Sequence, residues 1–228
     1  MDGCITLTLT ANTLYYFLVQ GQSGNTTIPA TVYLYEGLPL SGAEQPANLA
    51  AFNDEDYIKL TNSYTYALSS LLNPITGTHY TKDNMNPGDL AGIEFTSDYL
   101  HTDTAKAKFI TAVQEDCVTW GGNWFDFYEV NAETRVPEGY YKVALVLAEG
   151  EDYHGFRQAS DLNGRWAHKH GRGGPALDVD DTGQFLNGLP IVIPEDAYCY
   201  CVDIYYEIHP YSEFIGYFAI KPPSAYEN

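Results

Sequence analysis

Positive charge is scarce in this chain and is absent from its first quarter. The 228 residues include 11 Lys and Arg against 30 Asp and Glu, a formal net charge of −19, and the first 58 residues contain neither Lys nor Arg. Binding to nucleic acid requires a basic surface that neutralises phosphates, and anionic membranes also attract basic segments. We therefore expect neither nucleic acid nor a membrane among the partners.

Cysteine is scarce as well, with four residues in the whole chain. That number is too small for a disulfide scaffold of this length. No N-terminal stretch pairs basic residues with an apolar core, and the longest early apolar run, 14–19, is too short to span a bilayer. We expect no signal peptide or transmembrane segment, and a cytoplasmic or virion-associated location.

Strand-forming residues are abundant. The chain has 20 Tyr, and its short Tyr, Val, Ile and Thr runs are bounded by Gly and Pro. Helical periodicity after the N-cap candidate Asn62 predicts a helix at 63–72, and a second helix is predicted at 104–117. Helices that precede antiparallel strands indicate an α+β fold. The predicted strands of the main domain are 140–148, 153–158, 165–169, 198–208 and 214–220.

Turn-rich residues at 37–48 divide the sequence into two parts. Before them, residues 4–19 alternate apolar side chains with Thr, and 31–35 form a second strand candidate. We expect a small β-rich N-terminal arm or subdomain at 1–46 and the α+β domain at 47–228. Because such an arm can exchange strands with a neighbour, it predicts a homo-oligomer.

Cationic side chains concentrate in one short segment, residues 154–172. It holds four of the 11 Lys and Arg and three of the six His, against one acid, Asp161. Clustering of scarce charge predicts a site or an anion-facing surface. We expect Arg157, Trp166 and Lys169 to contact substrate, with Arg157 and Lys169 suited to carboxylate or phosphate. The alternative is that these cations neutralise the protein's own acids.

Four short strings are distinctive in combination: NSYTYAL at 62–68, NPG at 86–88, DYH at 152–154 and GRWAHK at 164–169. Together they resemble papain-like cysteine hydrolases, and within them the NlpC/P60-like group. The resemblance covers residues 60–220. It implies a papain-like α+β fold, with a helix packed on an antiparallel sheet, and cleavage of peptide or amide bonds, often in bacterial cell walls.

The resemblance also implies three site residues. In that group a Cys opens a buried helix, a His lies on a following strand, and a third polar residue comes from the next strand. Ser63, His154 and His168 occupy these places in order. A helix N-terminus favours an anionic nucleophile, an imidazole accepts its proton, and a second polar group fixes the tautomer. His154 and His168 meet if the hairpin turns through 160–162.

Other readings of the hairpin remain open. A turn at Asn163-Gly164, the stronger two-residue signal, would shift the register and separate the imidazoles. His154 also fits an ordinary strand residue with a satisfied hydrogen bond, and His168 fits a solvated basic edge.

Serine at position 63 departs from the family pattern, because a hydroxyl is a much weaker nucleophile than a thiol. Three explanations compete: a natural pseudoenzyme, an engineered substitution, or serine as a weak nucleophile. We expect a pseudo-peptidase or pseudo-amidase that acts as a binding or assembly module. The alternatives are a virion structural protein, such as a phage head or tail component, and an active peptidase or amidase. The partners would be a peptide or peptidoglycan-like substrate, or proteins in an assembly.

No metal or cofactor is predicted. His168 and His170 alternate along one strand and share a face, which permits a metal site. No Cys or acid at suitable local spacing completes it. Acidic residues at 178–181 resemble the opening of an EF-hand loop, but the twelfth position is Leu189 where a bidentate acid is required.

Overall fold

A six-stranded antiparallel sheet organises the part of the chain that the structure describes. This computed structural model describes residues 40, 44, 46–68, 85–183, 188–202 and 205–221. The sheet order is β1-β8-β2-β3-β4-β5, and β6 and β7 pair separately as a hairpin. The strands are β1 (Phe127–Val130), β2 (Tyr141–Ala148), β3 (Asp152–Gln158), β4 (Trp166–Lys169), β5 (Ala176–Leu177), β6 (Tyr200–Val202), β7 (Ile208–Pro210) and β8 (Glu213–Ile220).

In the described part of the chain, three α-helices precede the sheet: α1 (Leu49–Phe52), α2 (Ser63–Ala67) and α3 (Thr102–Thr119). The start of α2 is fixed by a reciprocal cap, in which the Asn62 side chain accepts from Thr65 N and Thr65 Oγ1 accepts from Asn62 N. The described residues therefore form the mixed α+β fold with an antiparallel sheet that the sequence predicted. None of their helices is long and apolar enough to cross a membrane.

Both faces of the sheet are covered, and every residue of β2 is buried. Alternate side chains of a strand point to opposite faces. One side, which we call the helix face, packs Val143, Leu145 and Tyr153 against α2 and α3. The other side, the loop face, packs Phe156 and Trp166 with residues from the segment before β6 and from β8. Those loop-face partners are Ile191, Cys199 and Tyr217.

Helix α2 approaches the sheet most closely at Gly155. A Cβ at this position would lie 3.2 Å from the Ser63 carbonyl oxygen and 3.3 Å from Ala67 Cβ. The Cβ direction of Gly155 therefore points to the helix face. Its strand neighbours His154 and Phe156 consequently point to the loop face.

The longest predicted strand, 198–208, is wrong in one respect. The chain forms two short antiparallel strands there, with Cys201 opposite His209, and the direction reverses between Val202 and Ile208. Tyr206 has φ of 67°, a left-handed conformation that a continuous strand does not contain. Strand-forming residues on both sides of Asp203 concealed this turn from the sequence pattern.

Two helix boundaries also differ from expectation. Helix α2 ends at Ala67 with Leu68 as its C-cap, whereas 69–72, the rest of the predicted helix, lie outside the described residues. Helix α3 starts at Thr102, because the Glu149 side chain accepts from Thr102 N from the turn after β2. The predicted arm strands at 4–19 and 31–35 lie outside the described residues, so the arm stays a prediction.

Replacing Gly155 with Ala tests the contact between α2 and β3. We expect Gly155→Ala to lower the free energy of unfolding by about 1–3 kcal/mol, because the added methyl overpacks the Ser63 carbonyl. Gly171→Ala is the matched control, since a methyl added there would meet no atom within 4 Å. That control should change stability by less than about 0.5 kcal/mol. Equal urea-unfolding midpoints for both variants would contradict the assigned packing.

Candidate functional site

Two imidazoles meet on the loop face, as the sequence predicted for a hairpin that turns through 160–162. The turn contains a 3₁₀ segment at Ser160–Leu162, and the register pairs Phe156 with His168. His154 lies two residues before Phe156 on the same face. Its Nε2 is 2.7 Å from His168 Nδ1. The tighter turn at Asn163-Gly164 is therefore not the one that sets the register.

The hydrogen-bond partners assign the protons of this pair. His168 Nε2 lies 2.9 Å from the carbonyl oxygen of Val179, which can only accept, so Nε2 carries a hydrogen. In neutral His168, Nδ1 then accepts from His154 Nε2–H. The two residues are 1% and 0% exposed. Burial, with the neighbouring imidazoles, lowers the pKa of His154 well below its usual value and the pKa of His168 to about 4.

Ser63 does not join the imidazoles. It opens α2, which packs on the helix face against Gly155, whereas His154 and His168 lie on the loop face. Ser63, His154 and His168 follow one another along the chain in the order that the resemblance implies. The three side chains do not come together, because His154 points from β3 to the face opposite α2. The structure therefore separates Ser63 from the pair, and the predicted three-residue cluster is not formed.

Arg157, predicted to contact substrate, is buried on the helix face. Its guanidinium donates to the carbonyl oxygens of Tyr66 at 3.1 Å, Pro46 at 2.8 Å and Ala47 at 3.0 Å. It also lies 4.4 Å from the centre of the Tyr66 ring. These bonds tie the segment before α1 to α2 and β3. Arg157 therefore holds the protein's own backbone together and is not presented at the surface.

Lys169 and Trp166, the other predicted substrate contacts, are also inside the protein. The Lys169 ammonium donates to four carbonyl oxygens, including Gly174 at 2.8 Å and Ile58 at 3.0 Å. Burial lowers the pKa of Lys169 to about 8. Trp166 packs in the loop-face core. The expected ligand surface is thus not formed by these three residues, because their side chains are needed for folding.

A third imidazole and a carboxylate adjoin the pair, and sequence reasoning did not assemble them. His170 Nε2 lies 3.0 Å from Asp181 Oδ1, and the Asp181 side chain is fully buried. The His168 and His170 ring centres are 5.0 Å apart. The alternation of His168 and His170 was visible in the sequence. Asp181 was considered only as part of an EF-hand-like loop and not as a partner of His170, because a loop rather than a local spacing brings it to β4.

Comparison with known proteins finds a relative that matches part of the chain. No family model and no solved structure matches the chain. A curated protein named insoluble matrix shell protein 1, from Ruditapes philippinarum, is 39% identical over 80 residues. These residues are 35% of this chain and 43% of that protein. The chain therefore spans less than half the length of the relative it matches, and the match does not establish a family.

Introducing a thiol at position 63 tests the separation of Ser63 from the imidazoles. We expect the Ser63→Cys thiol to react with iodoacetamide more slowly than a free thiol, since Ser63 is buried away from both histidines. Adding His154→Ala should leave its rate unchanged. Mass spectrometry can follow the reaction, with buried Cys117 as internal reference. Rapid labelling with an apparent pKa well below about 8.5, lost in the double variant, would contradict the geometry.

A conservative change at Arg157 tests its internal role. We expect Arg157→Lys to reduce the free energy of unfolding by about 2–3 kcal/mol, because one ammonium cannot reproduce the planar set of bonds to three carbonyls. Arg135→Lys, at an exposed position, should alter stability by less than about 0.5 kcal/mol. Chemical denaturation of both variants measures the difference. A cost at Arg157 no larger than at Arg135 would refute the structural role.

Proposed function

We propose that this chain is a non-catalytic assembly module that associates with further copies of itself. The observation that carries the proposal is the separation of Ser63 from the imidazole pair by the sheet. A nucleophile requires a general base within hydrogen-bonding reach. The burial of Arg157 and Lys169 supports the same conclusion, since neither offers its charge to a substrate at the surface.

An exposed apolar surface supports the assembly role. Val202 in β6 and Ile208 in β7 are cross-strand partners and are 52% and 59% exposed. Tyr205 and Tyr206, between the two strands, are 76% and 88% exposed. Single exposed apolar side chains are common, whereas several in one small hairpin are typical of a contact surface. We call these four residues the hairpin surface.

Net charge sets the condition for self-association. Two copies that each carry −19 repel one another at low ionic strength. Salt shortens the screening length from about 10 Å at 0.1 M to about 3 Å at 1 M, whereas contact between apolar side chains is not weakened by salt. Association through the hairpin surface should therefore increase as salt is added. The matched relative is named insoluble matrix shell protein 1, and an assembly role in this chain is compatible with that name.

The papain-like ancestry remains part of the proposal. Two features support it: a capped helix that begins at Ser63 and packs on an antiparallel sheet, and the order of helix and strands along the chain. The side on which His154 and His168 lie departs from the layout that the resemblance implies. We propose that the scaffold is retained without its hydrolytic site. A virion structural role and an active peptidase or amidase stay predictions from the sequence.

Sedimentation velocity at 0.1 M and 1 M NaCl tests the assembly module. We expect larger species at the higher salt concentration, and a return towards the monomer in the double variant Val202→Thr/Ile208→Thr, which keeps β-branched residues but removes apolar surface. Val118→Thr changes an exposed apolar residue on α3 and is the matched control. It should associate like the unchanged protein.

Two outcomes would refute the proposal. One is a protein that remains monomeric at both salt concentrations and at every concentration tested. The other is hydrolysis of peptide or amide substrates that disappears in Ser63→Ala.

A further inference from the structure

We propose that His168, His170 and Asp181 form a binding site for a divalent transition-metal ion of the zinc class. Each of the three offers one ligand atom, and these atoms all lie within 4.8 Å of one another. His168 and His170 project from the same side of β4 and its continuation. Asp181 reaches them from the loop that covers this face.

The distance between the ligand atoms of His170 and Asp181 is close to that between neighbouring ligands of a zinc ion. Zinc bonds to nitrogen and oxygen are about 2.0–2.2 Å long, so neighbouring ligand atoms of a tetrahedral site are about 3.4 Å apart. His170 Nε2 and Asp181 Oδ1 are already at 3.0 Å. The His168 ligand atom lies within 4.8 Å of both, so the proposal requires the rings to turn, chiefly that of His170, which is the most exposed of the three residues.

The chemistry of the donors selects the class of ion. Two imidazoles and one carboxylate are typical of zinc sites that keep a fourth position open, whereas calcium and magnesium prefer oxygen ligands throughout. Neutral imidazole is the form that binds metal. The Asp181 carboxylate supplies negative charge beside the two rings.

The surrounding hydrogen bonds already hold two of the ligands in place. Ligating histidines commonly use their second nitrogen to bind a carbonyl or another polar group, which fixes the ring. In His168 both nitrogens are already hydrogen-bonded, Nε2 to Val179 O and Nδ1 to His154 Nε2. A bound metal would therefore replace one of these two bonds, and the other would fix the ring. Asp181 accepts from Tyr200 N at 3.1 Å through Oδ2, while Oδ1 faces His170. One carboxylate oxygen is therefore anchored by the backbone, and the other is directed at the proposed site.

A hydrogen bond between His170 and Asp181 would by itself account for their contact, so the test must separate hydrogen bonding from metal binding. His170→Gln does so, because the Gln amide can still donate to Asp181 but has no imidazole nitrogen for a metal. His101 provides the matched control. It makes a similar 3.0 Å contact with the carboxylate of Glu149, at the surface.

The experiment uses the full chain without a histidine tag, dialysed against a chelator and titrated with Co²⁺ and then Zn²⁺. We expect one equivalent of Co²⁺ with the visible absorption bands of a low-symmetry site, and their loss when Zn²⁺ displaces it. His170→Gln should weaken Zn²⁺ binding at least tenfold, and His101→Gln should change it less than twofold. Elemental analysis of the dialysed proteins checks the stoichiometry.

Circular dichroism establishes that each variant is folded. If His170→Gln does not fold, Asp181→Asn replaces it, since the Asn side-chain oxygen can still accept from Tyr200 N; the same tenfold loss is expected. Absence of Co²⁺ bands in the unchanged protein would overturn the proposal. So would a His170→Gln or Asp181→Asn variant that binds Zn²⁺ as tightly as the unchanged chain.

Discussion

The alternation of side chains along β3 is the constraint on which the rest of the structure depends. Gly155 leaves room for α2 on one face, and this single close contact directs His154 and Phe156 to the other. Because the strand is covered on both sides, a shift by one residue would move every side chain to the wrong face. The contact at Gly155 thereby determines both how α2 packs and where the imidazoles lie.

Buried cations connect the elements on the helix face. Arg157 and Lys169 donate to carbonyl oxygens of segments that have no strand or long helix of their own to satisfy them. An unpaired buried carbonyl is costly, and a charged donor forms stronger bonds than a neutral one. The protein thus uses two of its few positive charges to fix irregular chain. The concentration of positive charge in residues 154–172 indicated correctly that this segment is important, but the roles of Arg157 and Lys169 are structural.

On the loop face, two buried polar side chains are histidines that bond to one another and to the backbone. His154 and His168 are buried and hydrogen-bonded to each other, and His168 is also bonded to the Val179 carbonyl oxygen. His170 and Asp181 lie beside this pair, and the His170 side chain is 14% exposed whereas that of Asp181 is fully buried. The loop face therefore joins a closed hydrogen-bonded pair to a more open cluster, and the hairpin surface lies farther along the chain as a separate apolar feature.

The sequence left the meeting of His154 with His168 open between two turn positions, and the structure selects the turn through 160–162. The sequence by itself determined the α+β class, the capped start of α2 at Asn62, and the strands β2, β3, β4 and β8 to within a residue or two. These follow from local signals: periodicity, capping residues and a hairpin turn. Only the tertiary structure decided that Ser63 lies across the sheet from the imidazoles and that Asp181 lies beside His170. Neither fact has a local signal, because the first depends on which face of β3 receives a helix and the second on the path of a loop.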